Sequence, residues 1–171
     1  MASIAWRGLA ALLLVAQGHA AEAASKTATV GIRAELLPAC TVGTAQSGGT
    51  TFGTLDFGTH VSLDNVITVV GQAGAGALRV NCLTETPYRV LISAGNSGST
   101  GNRIMTGPGA ATLRYNLYRD ADFSVLWDDS TGVSGVGNGH DQWIPVYGRL
   151  PAQGISQPGL YSDTLTVTVS W

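Results

Sequence analysis

The chain has 171 residues, 44% hydrophobic and 12% charged, with 23 glycines, 6 prolines and a formal net charge of −2. So few charges and so many turn formers suit an all-β domain rather than helices, whose solvent faces need Lys and Glu. The acidic balance and the single lysine, Lys26, exclude the cationic face that nucleic acid or an anionic membrane surface requires.

The first stretch, 1–23, has the pattern of a secretory signal peptide. Arg7 precedes an apolar run from Gly8 to Ala16, and small residues allow cleavage after Ala20, Ala23 or Ala24. That run is too short for a bilayer, which takes about 20 apolar residues, so export without a membrane anchor is expected. Export in turn predicts that Cys40 and Cys82, the only two cysteines, form one intrachain disulfide. Closing that loop stabilises the fold by up to about 4 kcal/mol on a chain-entropy model. A two-thiol metal site would need more ligands, and His60 and His140 are isolated, so neither metal nor cofactor is expected.

Residues 24–37 form a distinct N-terminal extension. From Thr27 to Leu36 the chain alternates, with Ala28, Val30, Ile32, Ala34 and Leu36 on one face and Thr27, Thr29, Gly31, Arg33 and Glu35 on the other, as in a strand. Pro38 breaks the run, and a main domain over 38–171 begins with Cys40-Thr41-Val42. Further strands are predicted at Thr51 to Phe57, Asn65 to Val70, Gly76 to Leu83, Tyr88 to Ala94, Arg103 to Met105, Leu113 to Tyr118, Val125 to Trp127, Trp143 to Leu150 and Tyr161 to Trp171. The polar, glycine-rich stretches between them, including 128–141, read as loops. In the last strand Leu165, Val167, Val169 and Trp171 share one face, and Thr166, Thr168 and Ser170 share the other. Short strands at this spacing predict an immunoglobulin-like β-sandwich.

No catalytic constellation is complete. Gly95-Asn96-Ser97-Gly98-Ser99 and Gly132-Val133-Ser134-Gly135-Val136 lack the last glycine of a nucleophile elbow and precede no helix. Asp120-x-Asp122-x-Ser124 opens like a calcium loop, but Val125 and Thr131 stand where that loop needs Gly and Glu. His140 beside Asp141 has no nucleophile in view. Trp127 and Trp143 could stack on a sugar ring, which leaves a secreted carbohydrate-binding module as an alternative to a structural protein. The chain is expected not to be an enzyme.

Several segments together resemble the spore coat protein U domain family, which includes pilin subunits of archaic chaperone-usher pili. They are Cys40-Thr41-Val42, Phe52-Gly53-Thr54-Leu55-Asp56-Phe57-Gly58, Val80-Asn81-Cys82, Tyr115 to Asp120, Val146 to Pro151 and Gly159 to Val169. The resemblance implies a sandwich missing its final strand, so that a groove lies beside the terminal strand. In such subunits a periplasmic chaperone fills the groove, and at the outer-membrane usher the extension of a neighbouring subunit replaces it, a case of β-strand addition. On this chain the implied donor residues are Ala28, Val30, Ile32, Ala34 and Leu36, and the implied acceptor and chaperone-recognition residues are Leu165, Val167, Val169 and Trp171. The extension's ten residues would span about 33 Å as a strand, enough to run along a domain. The implied function is a structural pilin of an extracellular adhesive fibre, in a shaft or adaptor place because it carries an extension. A spore-coat or surface-layer protein of the same fold is the alternative within the family.

Overall fold

The computed structural model describes residues 26–43, 51–154 and 157–171; the predicted signal peptide lies outside them. The chain divides into two units, Met1–Glu35 and Leu36–Trp171. In the first, residues 26–35 are solvent-exposed and make no strand pairing among the described residues.

The second unit is all-β. Among the described residues its ten strands are β1 (Cys40–Val42), β2 (Ile67–Val70), β3 (Leu78–Cys82), β4 (Pro87–Ile92), β5 (Arg103–Thr106), β6 (Thr112–Tyr118), β7 (Val133–Val136), β8 (Gln142–Ile144), β9 (Tyr147–Leu150) and β10 (Val167–Ser170). They form three antiparallel sheets, ordered β1-β3-β8, β10-β4-β7 and β2-β9-β6-β5. The period-two pattern accounts for the core: Leu78, Val80 and Cys82 of β3, Tyr88, Val90 and Ile92 of β4, and Leu113, Tyr115 and Leu117 of β6 all face into one buried cluster. Cys40 and Cys82 are direct cross-strand partners and are joined by the disulfide the sequence predicts.

Four predicted strands come out differently. Trp143 to Leu150 divides at Pro145, which has no N–H to give a ladder, so β8 pairs with β3 while β9 pairs with β2 and β6. Thr51 to Phe57 is not a strand: Gly53 takes φ 84°, and Phe52, Leu55 and Phe57 pack onto the core as an extended strap. That strap crosses β9 at Gly148, where a Cβ would stand 2.9 Å from both Leu55 and Phe57. Val125 to Trp127 makes a single bridge, Tyr118 to Leu126, flanked by Arg119 N–H to Val125 C=O (3.1 Å) and Trp127 N–H to Leu117 C=O (2.9 Å). Conversely, β7 lies inside a stretch that reads as loop. Its Gly135 sits beneath the Tyr88 ring, whose hydroxyl would be 2.4 Å from any Cβ, so this glycine makes room for packing rather than for a turn.

The last predicted strand also divides between two sheets. Ser162 exchanges backbone bonds with Thr106 at the end of β5 (2.9 and 3.1 Å), and only from Thr166 onward does the chain pair with β4. Residues 162–166 therefore cross from one sheet to another before β10 begins.

Candidate functional site

Strand β10 lies at the edge of its sheet with β4 as its neighbour, in the register Val167–Ile92, Thr168–Leu91, Val169–Val90 and Ser170–Arg89. Among the described residues no strand pairs with its other edge. Burial falls off sharply across this one pairing. Ile92 and Val90 are 2% and 0% exposed, whereas Val167 and Val169, directly opposite them, are only half-buried. Leu165, Val167 and Val169 pack against the core cluster, and Thr166, Thr168 and Ser170 face solvent.

Natural edge strands are guarded by charges, prolines or bulges that discourage pairing. From Leu165 to Trp171 there is none of these, and the free edge offers backbone N–H and C=O groups beside an incompletely covered apolar row. Trp171 stands apart from the row. It is 57% exposed, lies beyond the last ladder pair at Ser170, and with Pro87, Tyr88 and Val136 borders an open depression of about 590 Å3.

The extension shows the complementary character. Val30, Ile32 and Leu36 are 81%, 94% and 82% exposed, and Ala28 and Ala34 are exposed as well. Apolar side chains left this open at period-two spacing form a strand-ready row without a partner of its own among the described residues.

The approach to β10 is held by polar contacts that the sequence does not advertise. Asp163 accepts a 2.6 Å hydrogen bond at Oδ2 from the buried Tyr115 hydroxyl and one at Oδ1 from the Asn96 N–H (3.0 Å). Burial, then the bond to Asp163, pushes the Tyr115 phenol well above its ordinary pKa, so it stays a donor. Ser93 N–H donates to Thr166 C=O (2.9 Å), and Thr166 N–H returns a bond to Ser93 Oγ (2.9 Å). Behind this end of β4 lies Arg103, fully buried, donating to the carbonyls of Ile92, Ser93, Thr100 and Trp127. The one sequence signal for it is an arginine at an inward position of the Arg103-Ile104-Met105 alternation.

The other candidate chemistries are differently employed. Trp127 is 0% exposed and its Nε1 donates to Val90 C=O, so it is a core pin and not a stacking platform. Trp143 is 42% exposed on β8. Both carboxylate oxygens of Asp120 cap the turn at Ser124 and Val125, and that of Asp141 is taken by Arg79 (2.6 Å) and Asn81 (2.8 Å). Among the described residues no group of three or more His, Cys, Asp or Glu could hold a metal, and no helix is long and apolar enough to cross a membrane.

The model of the Spore Coat Protein U domain matches residues 26–168. The chain belongs to that family. Its relative Protein U of Myxococcus xanthus is 31% identical over 161 residues, covering 88% of each chain. Among solved structures, the Spore Coat Protein U domain described above resembles a chain in the CsuC-CsuE chaperone-tip adhesion subunit pre-assembly complex from archaic chaperone-usher Csu pili of Acinetobacter baumannii. The TM-score is 0.51 at 20% identity, over 80% of this chain and 40% of that one. At that identity the likeness speaks to the fold, and this chain spans well under half of the other.

Proposed function

We propose that the protein is a non-enzymatic pilin that polymerises by donor-strand complementation into an extracellular adhesive fibre serving surface attachment and biofilm formation. The observation that carries this reading is the burial step across β4 and β10: a core that is complete at Val90 and Ile92 is half-open at Val169 and Val167. A strand laid along the free edge of β10 closes that gap. It would pair with the open backbone and seat alternate side chains over Leu165, Val167 and Val169, with Trp171 at the far end. The extension supplies such a strand in Ala28, Val30, Ile32, Ala34 and Leu36. Covering Val30 and Ile32 alone is worth about 1.5–3 kcal/mol each, beyond the backbone bonds.

Because the donor row and the acceptor edge are different surfaces, the contact between copies is heterologous and does not close, which generates a fibre. In this reading a signal peptide over 1–23 exports the chain, a periplasmic chaperone lends a strand to β10, and an outer-membrane usher oversees its replacement by the extension of the next subunit. The mature protein is then residues 24–37 as donor and 38–171 as the pilin domain, on the cell surface.

The test is to delete Ser25 to Leu36 and supply those residues as a synthetic peptide. The deleted chain is expected to stop assembling, to retain its chaperone, and to gain thermal stability when peptide is added. A shortened chain indifferent to the peptide would sink the strand-exchange reading and favour a surface-coat role for the same domain.

A further inference from the structure

The terminal segment reaches the acceptor edge only after crossing between sheets, and among the described residues β10 is then held by a ladder on one side alone. In a strand of period two, a slip of one residue moves every side chain to the opposite face. Here such a slip would turn Leu165, Val167 and Val169 outward and put Thr166, Thr168 and Ser170 against the core. Backbone bonds such as those of Ser162 with Thr106 are indifferent to residue identity, and a slipped ladder can remake them. A side-chain bond to one particular carboxylate holds in one register only.

We propose that Tyr115 and Asp163 form a register latch, a pair of positioning residues that fixes which face of β10 is offered to an incoming strand. The proposal rests on the reading of β10 as a strand acceptor. Tyr115 is anchored in the middle of β6, 5% exposed and edge-on to Phe57, so its hydroxyl is a fixed point in the core. Asp163 lies in the crossing segment, between the Ser162 bridge to Thr106 and the first β4 bonds at Thr166. Its other oxygen is occupied by Asn96 N–H and Thr164 N–H, so the carboxylate is held from three directions. It lies directly against Gly95, which has φ 63° and where a Cβ would collide with the Asp163 carboxylate. The latch therefore sits two residues ahead of the acceptor row and sets its phase.

The experiment uses the full chain with its own donor row disabled by Ile32→Asp, as this parent and with Tyr115→Phe, Asp163→Ala or Asp163→Asn added. Amide exchange is followed in β10 and β3, and binding of a labelled peptide of residues 25–36 is measured on the same samples. A hydrogen bond to a carboxylate is the stronger kind, so Tyr115→Phe and Asp163→Ala are expected to speed exchange at Thr168 and Ser170, whose N–H groups face β4, by about tenfold and weaken peptide binding by a similar factor. Exchange in β3 should not change, and Asp163→Asn, which keeps an acceptor for Tyr115, should recover part of both effects. Unchanged exchange at β10, equal acceleration in β3 and β10, or undiminished peptide affinity each overturns the latch. If the Ile32→Asp parent itself binds no peptide, the strand-acceptor reading fails, and the latch, which rests on it, falls as a device of strand acceptance. The β10 exchange then shows only whether Tyr115 and Asp163 fix the strand.

Discussion

Arg103 donates from Nη2 to the carbonyl of Trp127 at 2.8 Å, and both side chains are fully enclosed. The guanidinium has no carboxylate within ion-pairing distance among the described residues. Four backbone carbonyls surround it instead, and they tie the end of β4 to the Thr100 turn and to Trp127. Burial lowers the Arg103 pKa, but an arginine remains charged even so, and the converging carbonyl dipoles offset the cost of holding that charge away from water.

Replacing Arg103 by Met leaves those carbonyls without donors. At about 1–3 kcal/mol for each polar group left buried and unsatisfied, a loss of about 3 kcal/mol or more is expected in urea unfolding. Arg103→Lys keeps the charge but not the fork, and should recover only part of it. A Met variant within about 0.5 kcal/mol of wild type, the range of ordinary surface changes, would show that the carbonyls find other partners.

Acid sensitivity should be traceable to Asp128. Its Oδ1 accepts backbone N–H bonds from Thr131, Ser130 (2.8 Å) and Gly132 (3.3 Å), and with the Thr131 bond as the largest cause its pKa is held down to about 2. A folded pKa below the unfolded value of about 3.9 contributes stability that is present above that value and is lost as pH falls toward 2. The stability gap between wild type and Asp128→Asn should therefore be constant at neutral pH and shrink between about pH 4 and 2. Solvent at this loop screens the effect, so the gap is expected to stay under about 1 kcal/mol. Thermal melts at several pH values read it directly, and a gap that widens on acidification would contradict the assignment.

Where apolar alternation is strict, as in β3, β4 and β6, the sequence reading and the structure agree, because a buried face leaves one arrangement of side chains. It goes astray where glycine serves packing. Gly135 makes room for Tyr88 and hides β7 inside what reads as loop, while Gly53 bends a segment whose phenylalanines look like strand residues. The apolar rows of the extension and of β10 are legible from period alone. The polar contacts that position β10 are not, since Tyr115 and Asp163 lie 48 residues apart and meet only when two sheets are assembled.

The disulfide ties β1 to β3 at the point where the main domain begins, and Cys82 is 0% exposed. The Cys82 sulfur is thus closed to a reductant in the native protein and Cys40 is half-buried, so reduction of the folded chain should be slow. Once reduced, or in a Cys40→Ser/Cys82→Ser chain, the fold is expected to lose up to about 4 kcal/mol, read as a lower denaturant midpoint with a steeper slope, because the unlinked denatured chain exposes more surface. Fast reduction of the folded protein would instead mean that β1 detaches locally.

Donor and acceptor functions should separate genetically. A charge at the middle of the donor row, Ile32→Asp, places a carboxylate where an apolar side chain must be buried, at a cost of several kcal/mol, and should abolish donation while leaving β10 able to accept. Val169→Asp should do the reverse. In a heterologous contact the two defects complement each other once and then stop, because the chain that accepts cannot donate onward and the chain that donates has no usable edge. Each variant alone should thus remain monomeric by size-exclusion chromatography with light scattering, and an equimolar mixture should give dimers and nothing longer. Fibres from either variant alone would show that these two rows are not the polymer contact. A mixture that stayed monomeric while wild type polymerised would show that the defects are not confined to one partner each.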